Sequence, residues 1–152
     1  QKYILFNYST ISLSNNEYYN FRLFKKIKSV IKKNHIVIFK GHPSYKSTKT
    51  EKFIKSLIIF LQKNKIKTLI IKKNSLLHNL PSQILVKLID IKILISDIST
   101  SVFHVSNIYK DVICFLPLNF SLNNCSDDVS LELYKKNKKY YKKIGKSIKF
   151  ID

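Results

Sequence analysis

Residues 35–43 read His-Ile-Val-Ile-Phe-Lys-Gly-His-Pro, and the fold turns on how this stretch is read. Ile36 to Phe39 form a continuous apolar run rich in β-branched and aromatic side chains, too short for a helix and suited to a strand buried on both faces. Gly41-His42-Pro43 ends it abruptly, since proline lacks the N–H that a continuing ladder requires. Working outward, Lys2 to Asn7 (KYILFN) repeats the pattern. Between the two runs, Ser14 followed by Glu17 forms a capping box that opens a helix to about Lys33. Its apolar positions Tyr18, Phe21, Phe24, Ile27 and Ile31 recur every three or four residues and predict one core-facing stripe.

Downstream the alternation continues. Thr50 is placed to cap a helix carrying Phe53, Ile54, Leu57, Ile58 and Leu61, and Lys67 to Ile71 reads as a third strand. Pro81 suits the first turn of a helix bearing Ile84, Leu85, Leu88 and Ile89. Lys92 to Ser96 (KILIS) is a fourth strand, followed by a short helix through Phe103 and Ile108. Val112 to Leu116 is a fifth. Strands separated by helical segments predict crossover connections and a parallel sheet. Residues 1–117 are therefore expected to form a Rossmann-like α/β layer of about five strands with flanking helices.

Residues 118–152 read differently. Asn119 to Asp128 is a polar loop, and Asp127 and Asp128 favour the start of a last helix through its dipole. That helix would carry Leu131, Tyr134 and Tyr141 with a dense lysine run from Lys135 to Lys149. It is expected to pack on the domain with a solvated basic face. The alternative is a basic surface for an anionic acceptor or lipid headgroups.

Composition bounds the rest. In 152 residues, 45% are hydrophobic, which excludes a disordered or collagen-like chain and suffices for one core. The apolar run Leu57–Leu61 falls far short of the ~18 residues of a membrane span, and no signal peptide opens the chain, so a soluble domain is expected. The chain begins at Gln1 and contains no methionine, from which we expect part of a longer protein. Lys and Arg total 28 against 9 acidic residues, a net charge of +19. Such a charge suggests nucleic acid or an anionic surface as partner. Yet Arg22 is the only arginine, whereas base-edge and bidentate phosphate readers favour Arg. The lysines travel with abundant Ile, Asn, Tyr and Phe, as in an AT-rich coding sequence. Much of the charge then reads as solvated background that still attracts anions. Cys114 and Cys125 lack paired metal spacing and are expected to be free thiols in a reducing compartment.

Ligands of open parallel sheets bind beyond the carboxyl ends of the strands, near the switch in strand order. With strand order 3-2-1-4-5, three loops converge there: Tyr8-Ser9-Thr10, Gly41-His42-Pro43-Ser44, and Asp97 to Ser101. Ser99, Thr100 and Ser101 stand where a helix begins, so outward N–H groups and hydroxyls suit a phosphate, although the same residue types are ordinary helix caps. His42 can donate to a phosphate oxygen or protonate a leaving phosphate near neutral pH. Asp97 lies close to this crevice and could equally cap the helix behind it. His35, His78 and His104 have no partner at metal-like spacing and read as structural. Two glycines cannot build GxGxxG or GxxxxGK[ST], which excludes a dinucleotide fingerprint and a Walker loop, and no G-x-S-x-G elbow is present.

Lys40-Gly41-His42-Pro43, then Leu80-Pro81-Ser82-Gln83-Ile84-Leu85, then Ser96-Asp97-Ile98-Ser99-Thr100-Ser101 occur in that order. Over residues 1–117 this resembles the nucleotide-binding half of bacterial GT-B sialyltransferases, the polysialyltransferase and lipooligosaccharide sialyltransferase type, which make capsule and lipooligosaccharide glycans. That family has a His-Pro motif, a Pro-x-Glu helix start and a Ser-Ser/Thr motif. The resemblance implies an inverting glycosyltransferase that uses CMP-sialic acid as donor, requires no metal and works in the cytoplasm, with contact to the inner face of the membrane. It implies that His42 contacts the CMP phosphate and assists its departure, and that Ser99 and Thr100 hold that phosphate, with Ser101 as the register alternative. Gly41, Pro43, Tyr8 and Ser9 would complete the donor site. Gln83 stands where the family has a nucleotide-reading glutamate; an amide donates as well as accepts and carries no charge. The family's catalytic base belongs to an N-terminal domain, so this chain alone is expected to bind donor but not to catalyse transfer to a glycan acceptor. Transferases of CDP-glycerol or CDP-ribitol share similar His-Pro and Ser-Asp-x-Ser-Ser motifs and are the neighbouring alternative. A non-enzymatic basic module binding nucleic acid or membrane is the alternative from another class.

Overall fold

The computed structural model describes residues 2–43, 47–125, 132, 135, 136 and 148–151. The elements run β1 (Lys2–Tyr8), α1 (Glu17–Ser29), β2 (His35–Gly41), α2 (Thr48–Lys63), β3 (Lys67–Ile70), α3 (Leu76–Asn79) and α4 (Ser82–Leu88). They continue with β4 (Ile93–Ser96), α5 (Thr100–Ile108), β5 (Ile113–Leu116), α6 (Leu118–Asn123) and β6 (Ile148–Phe150). The sheet order is β3-β2-β1-β4-β5-β6, every pair parallel, so the chain is a Rossmann-like α/β fold. Strand order reverses around β1, flanked by β2 and β4 as expected.

Side-chain alternation divides the core between the two faces of the sheet. Ile4, Phe6, Val37, Phe39, Ile95 and Phe115 pack against Phe24, Ile27, Phe53 and Leu57 of α1 and α2. Leu5, Ile38, Leu94, Cys114 and Leu116 pack against Leu85, Val86, Val102 and Val105 of α4 and α5. Both faces are covered, which is why β1 and β2 read as unbroken apolar runs. Among the described residues no helix is long and apolar enough to cross a membrane. Cys114 is buried and Cys125 partly so, and no disulfide joins them.

Several expectations need correction. Among the described residues the sheet has six strands, because residues 148–150 pair in parallel with β5. Lys149 therefore ends in a strand rather than in the basic helix. The rest of that helix, with Asp127, Asp128, Leu131, Tyr134 and Tyr141, lies outside the described residues, apart from Glu132, Lys135 and Lys136. Part of the supposed loop after Pro117 is α6, whose Leu118, Phe120 and Leu122 are buried.

Helix α1 is capped by Asn16 rather than Ser14, with Asn16 Oδ1 accepting from the Tyr19 N–H, and it ends at Ser29. Its buried face is Asn20, Leu23, Phe24 and Ile27, while Tyr18 and Phe21 are exposed. Asn20 explains this rotation. Its amide closes the preceding loop, accepting from Ser14 N–H and donating to Ser14 O at 2.8 Å each. Helix α2 is capped by Ser47, whose Oγ accepts from Thr50 N–H, so Thr50 is inside the first turn and buried. In α4, Leu85 and Val86 are buried, whereas Ile84 and Leu88 face outward.

Candidate functional site

Three strand ends build the site. In the parallel register Asn7 of β1 stands beside Lys40 of β2 and Ser96 of β4. Each lies two residues beyond an apolar residue of the α4/α5 face (Leu5, Ile38, Leu94), so all three point to that face. All three are buried. A polar row thus crosses the carboxyl end of an otherwise apolar surface.

Above that row lies a cavity of about 240 Å³, lined by Asn7, Lys40, His42, Pro43, Gln83 and Ser101 among others. Thus the His-Pro loop, the Pro81 helix start and the start of α5 meet in one place. The fold holds the pieces firmly. His42 N–H donates to Tyr8 O at 3.0 Å, and the Tyr109 hydroxyl donates to Gln83 O at 3.0 Å, tying α4 to the end of α5. The His-Pro loop is described through Pro43, and Ser44 lies outside the described residues.

Ser99 is the N-cap residue of α5, yet its side chain makes no capping bond and lies 3.1 Å from Ser96 Oγ. Thr100 is exposed. Neither lines the cavity with His42, whereas Ser101 does. The reason is angular: successive helical residues are turned by roughly 100°, so only one hydroxyl of the cluster faces His42.

Asp97 does not cap α5, whose N-cap is Ser99. It is fully buried, and its Oδ2 accepts from the N–H groups of Ser9, Thr10 and Ile11 at 2.8, 2.8 and 3.1 Å. Ser9 Oγ adds contacts at 3.3 Å to both carboxylate oxygens. Burial pushes this carboxyl above its ordinary range, and those donors act against the shift. Asp97 therefore latches the loop after β1 to the end of β4. Ser9 is accordingly a loop anchor as well as a cavity residue.

On the other side of His42 a second cavity of about 260 Å³ is lined by Tyr8, Ser9, Gly41, Thr50, Ile54, Ile70 and His78, with the Lys73–Glu51 ion pair (2.6 Å) at its edge. Gly41 lies close under the Tyr8 ring. A Cβ there would lie 3.2 Å from Tyr8 Cε2 and 3.3 Å from its hydroxyl oxygen. Gly41→Ala should lower stability by about 1 kcal/mol, read as a shifted urea midpoint. Combining it with Tyr8→Ala should remove most of that cost. Additive effects would show that the Tyr8 ring is not the obstacle.

Lys40 and His78 have greater roles here than the sequence suggested. Lys40 is 3% exposed and His78 4% exposed, and both border these cavities. His78 belongs to α3, a single turn of helix between β3 and α4, and is buried there. His42 is exposed at the end of β2, and its pKa is held below the ordinary value by partial desolvation and then by the charges of Lys40 and His78. Burial, then Lys40, does the same to His78. His35 is structural, its Nδ1 accepting from Lys32 N–H at 3.1 Å, and His104 is an exposed residue of α5.

No protein-family model, curated protein or solved structure matches the chain. Its chemistry is read from its own geometry.

Proposed function

We propose that this domain binds a cytidine-nucleotide-activated donor, CMP-sialic acid, as the donor half of an inverting glycosyltransferase. The observation that supports this reading is the convergence of His42, Gln83 and Ser101, from three sequence motifs, on one cavity at the switch point of a parallel sheet. In this mechanism the acceptor oxygen attacks the anomeric carbon, and the bond from that carbon to the phosphate oxygen breaks with its electron pair on CMP. Stabilising that developing charge is what lowers the barrier. His42 donates to the departing phosphate, the start of α5 supplies Ser101 and backbone N–H groups, and Gln83 hydrogen-bonds the nucleoside. The base that takes the acceptor proton would come from a separate domain.

Titration calorimetry with CMP, CDP and AMP tests the proposal. Saturable binding of CMP, tighter than AMP by tenfold or more, is the expected result. Equal binding of all three, or of none, would sink it. A preference for CDP over CMP would instead favour a polyol-phosphate donor such as CDP-glycerol. The charge of +19 supports one reading from another class, a basic module for nucleic acid or anionic membrane. That module predicts steeply salt-dependent binding to polyanions, indifferent to His42→Ala.

A further inference from the structure

Lys40 is a buried lysine to which the described residues bring no counter-charge. Among the described residues no carboxylate pairs with it, and its Nζ reaches only the carbonyl of Gly41, at 3.4 Å. An ammonium taken from water without an anion is costly, and folded domains keep such a group only where something else is gained. Packing does not require it, since an apolar residue would extend the Leu5–Ile38–Leu94 face more cheaply. Lys40 instead borders the 240 Å³ cavity beside Asn7 and beneath His42. Across His42, buried His78 lines the adjoining cavity with an Nδ1 that meets no hydrogen-bond partner among the described residues. Glu51, the carboxylate lining that cavity, is already engaged by Lys73. Asn7, Lys40 and His42 thus line the 240 Å³ cavity, to which no carboxylate contributes among the described residues.

We infer that Lys40, with Asn7 beside it and His42 lining the same cavity, forms a seat for a phosphoryl group, and that the ligand itself supplies the missing negative charge. Assigning that phosphoryl group to a nucleotide donor rests on the function proposed above; the seat does not depend on that assignment. The ammonium donates to the phosphate oxygens as a point charge, and His42 approaches from the exposed side. Lys40 is then a binding residue maintained at some expense to the unliganded fold.

Inorganic phosphate is the probe, titrated into the intact chain at matched ionic strength because a charge of +19 attracts any anion diffusely. Wild type should bind phosphate saturably and gain thermal stability over chloride. Lys40→Met and Lys40→Gln should each weaken phosphate by about 10- to 100-fold, as for loss of a charge-assisted bond. Unliganded Lys40→Met should melt higher than wild type, the reverse of what a structural lysine would give. Undiminished phosphate affinity in both variants, absence of binding in wild type, or variants that fail to fold would each overturn the inference. CMP separates the two proposals. Phosphate bound through Lys40 without CMP binding would retain the seat and remove the cytidine donor. CMP bound equally well by wild type and Lys40→Met would do the opposite.

Discussion

His42→Ala should weaken CMP binding by about 10- to 100-fold near pH 7, the loss expected for one charge-assisted hydrogen bond to phosphate. Nearly all of this should come from the phosphate, so cytidine without phosphate should bind wild type and variant alike. His42→Gln should recover part of the loss, because an amide N–H can reach the same oxygen without carrying charge. The effect also has a pH signature. In the unliganded domain burial, and then the neighbouring Lys40 and His78, hold the imidazole below its ordinary pKa and so disfavour the protonated ring. A bound phosphate anion favours the protonated ring and raises its pKa. Binding therefore takes up a proton, and the affinity ratio of wild type to His42→Ala should widen as pH falls from 8 to 6. The comparison cancels the titration of the phosphate, of Lys40 and of His78, which both proteins share. A ratio independent of pH, or a loss below twofold, would remove His42 from the phosphate site.

Asp97→Ala should destabilise the domain by about 3–5 kcal/mol, a large part of the 5–15 kcal/mol typical of a folded domain. The carboxylate accepts from three consecutive backbone N–H groups, of Ser9, Thr10 and Ile11. Removing it leaves buried donors unpaired, and each such donor costs about 1–3 kcal/mol. Asp97→Asn keeps one carbonyl-type oxygen and should lose about half as much. Urea denaturation at unchanged m measures both. A loss under 1 kcal/mol for Asp97→Ala would mean that the loop after β1 repacks without its latch. Because Tyr8 and Ser9 line the cavity beside His42, residual folded Asp97→Ala protein should also bind CMP less well. That linkage separates the latch from a core residue that only stabilises.

Much of this molecule was legible in one dimension. The alternation of short apolar runs with amphipathic segments marked β1 to β5 and the helices α1, α2, α4 and α5 between them. The chirality of crossovers and the burial of both faces then left little choice but a parallel sheet. The readings that failed did so at helix faces and at the carboxyl end of the chain. Tyr18 and Phe21 satisfied the three-and-four spacing, but so did a face centred on Leu23, and only the bond from Asn20 to the Ser14 loop selects between them. Residues 148–150 carry too few apolar side chains to announce a strand. They pair because β5 offers an open edge, a fact absent from local sequence.

The site divides along the same line. That Gly41-His42-Pro43 ends a strand, and that hydroxyls gather at the start of a helix, follows from local propensity: proline has no N–H, and serine and threonine compete for backbone donors at helix starts. Which hydroxyl faces His42, that Asp97 turns inward to three N–H groups, and that Lys40 and His78 are buried are matters of register and packing between segments tens of residues apart. Asn7, Lys40 and Ser96 each look like the polar end of an apolar strand. Only the parallel pairing of β2, β1 and β4 sets them side by side, because hydrogen-bond register is a property of two strands and not of one.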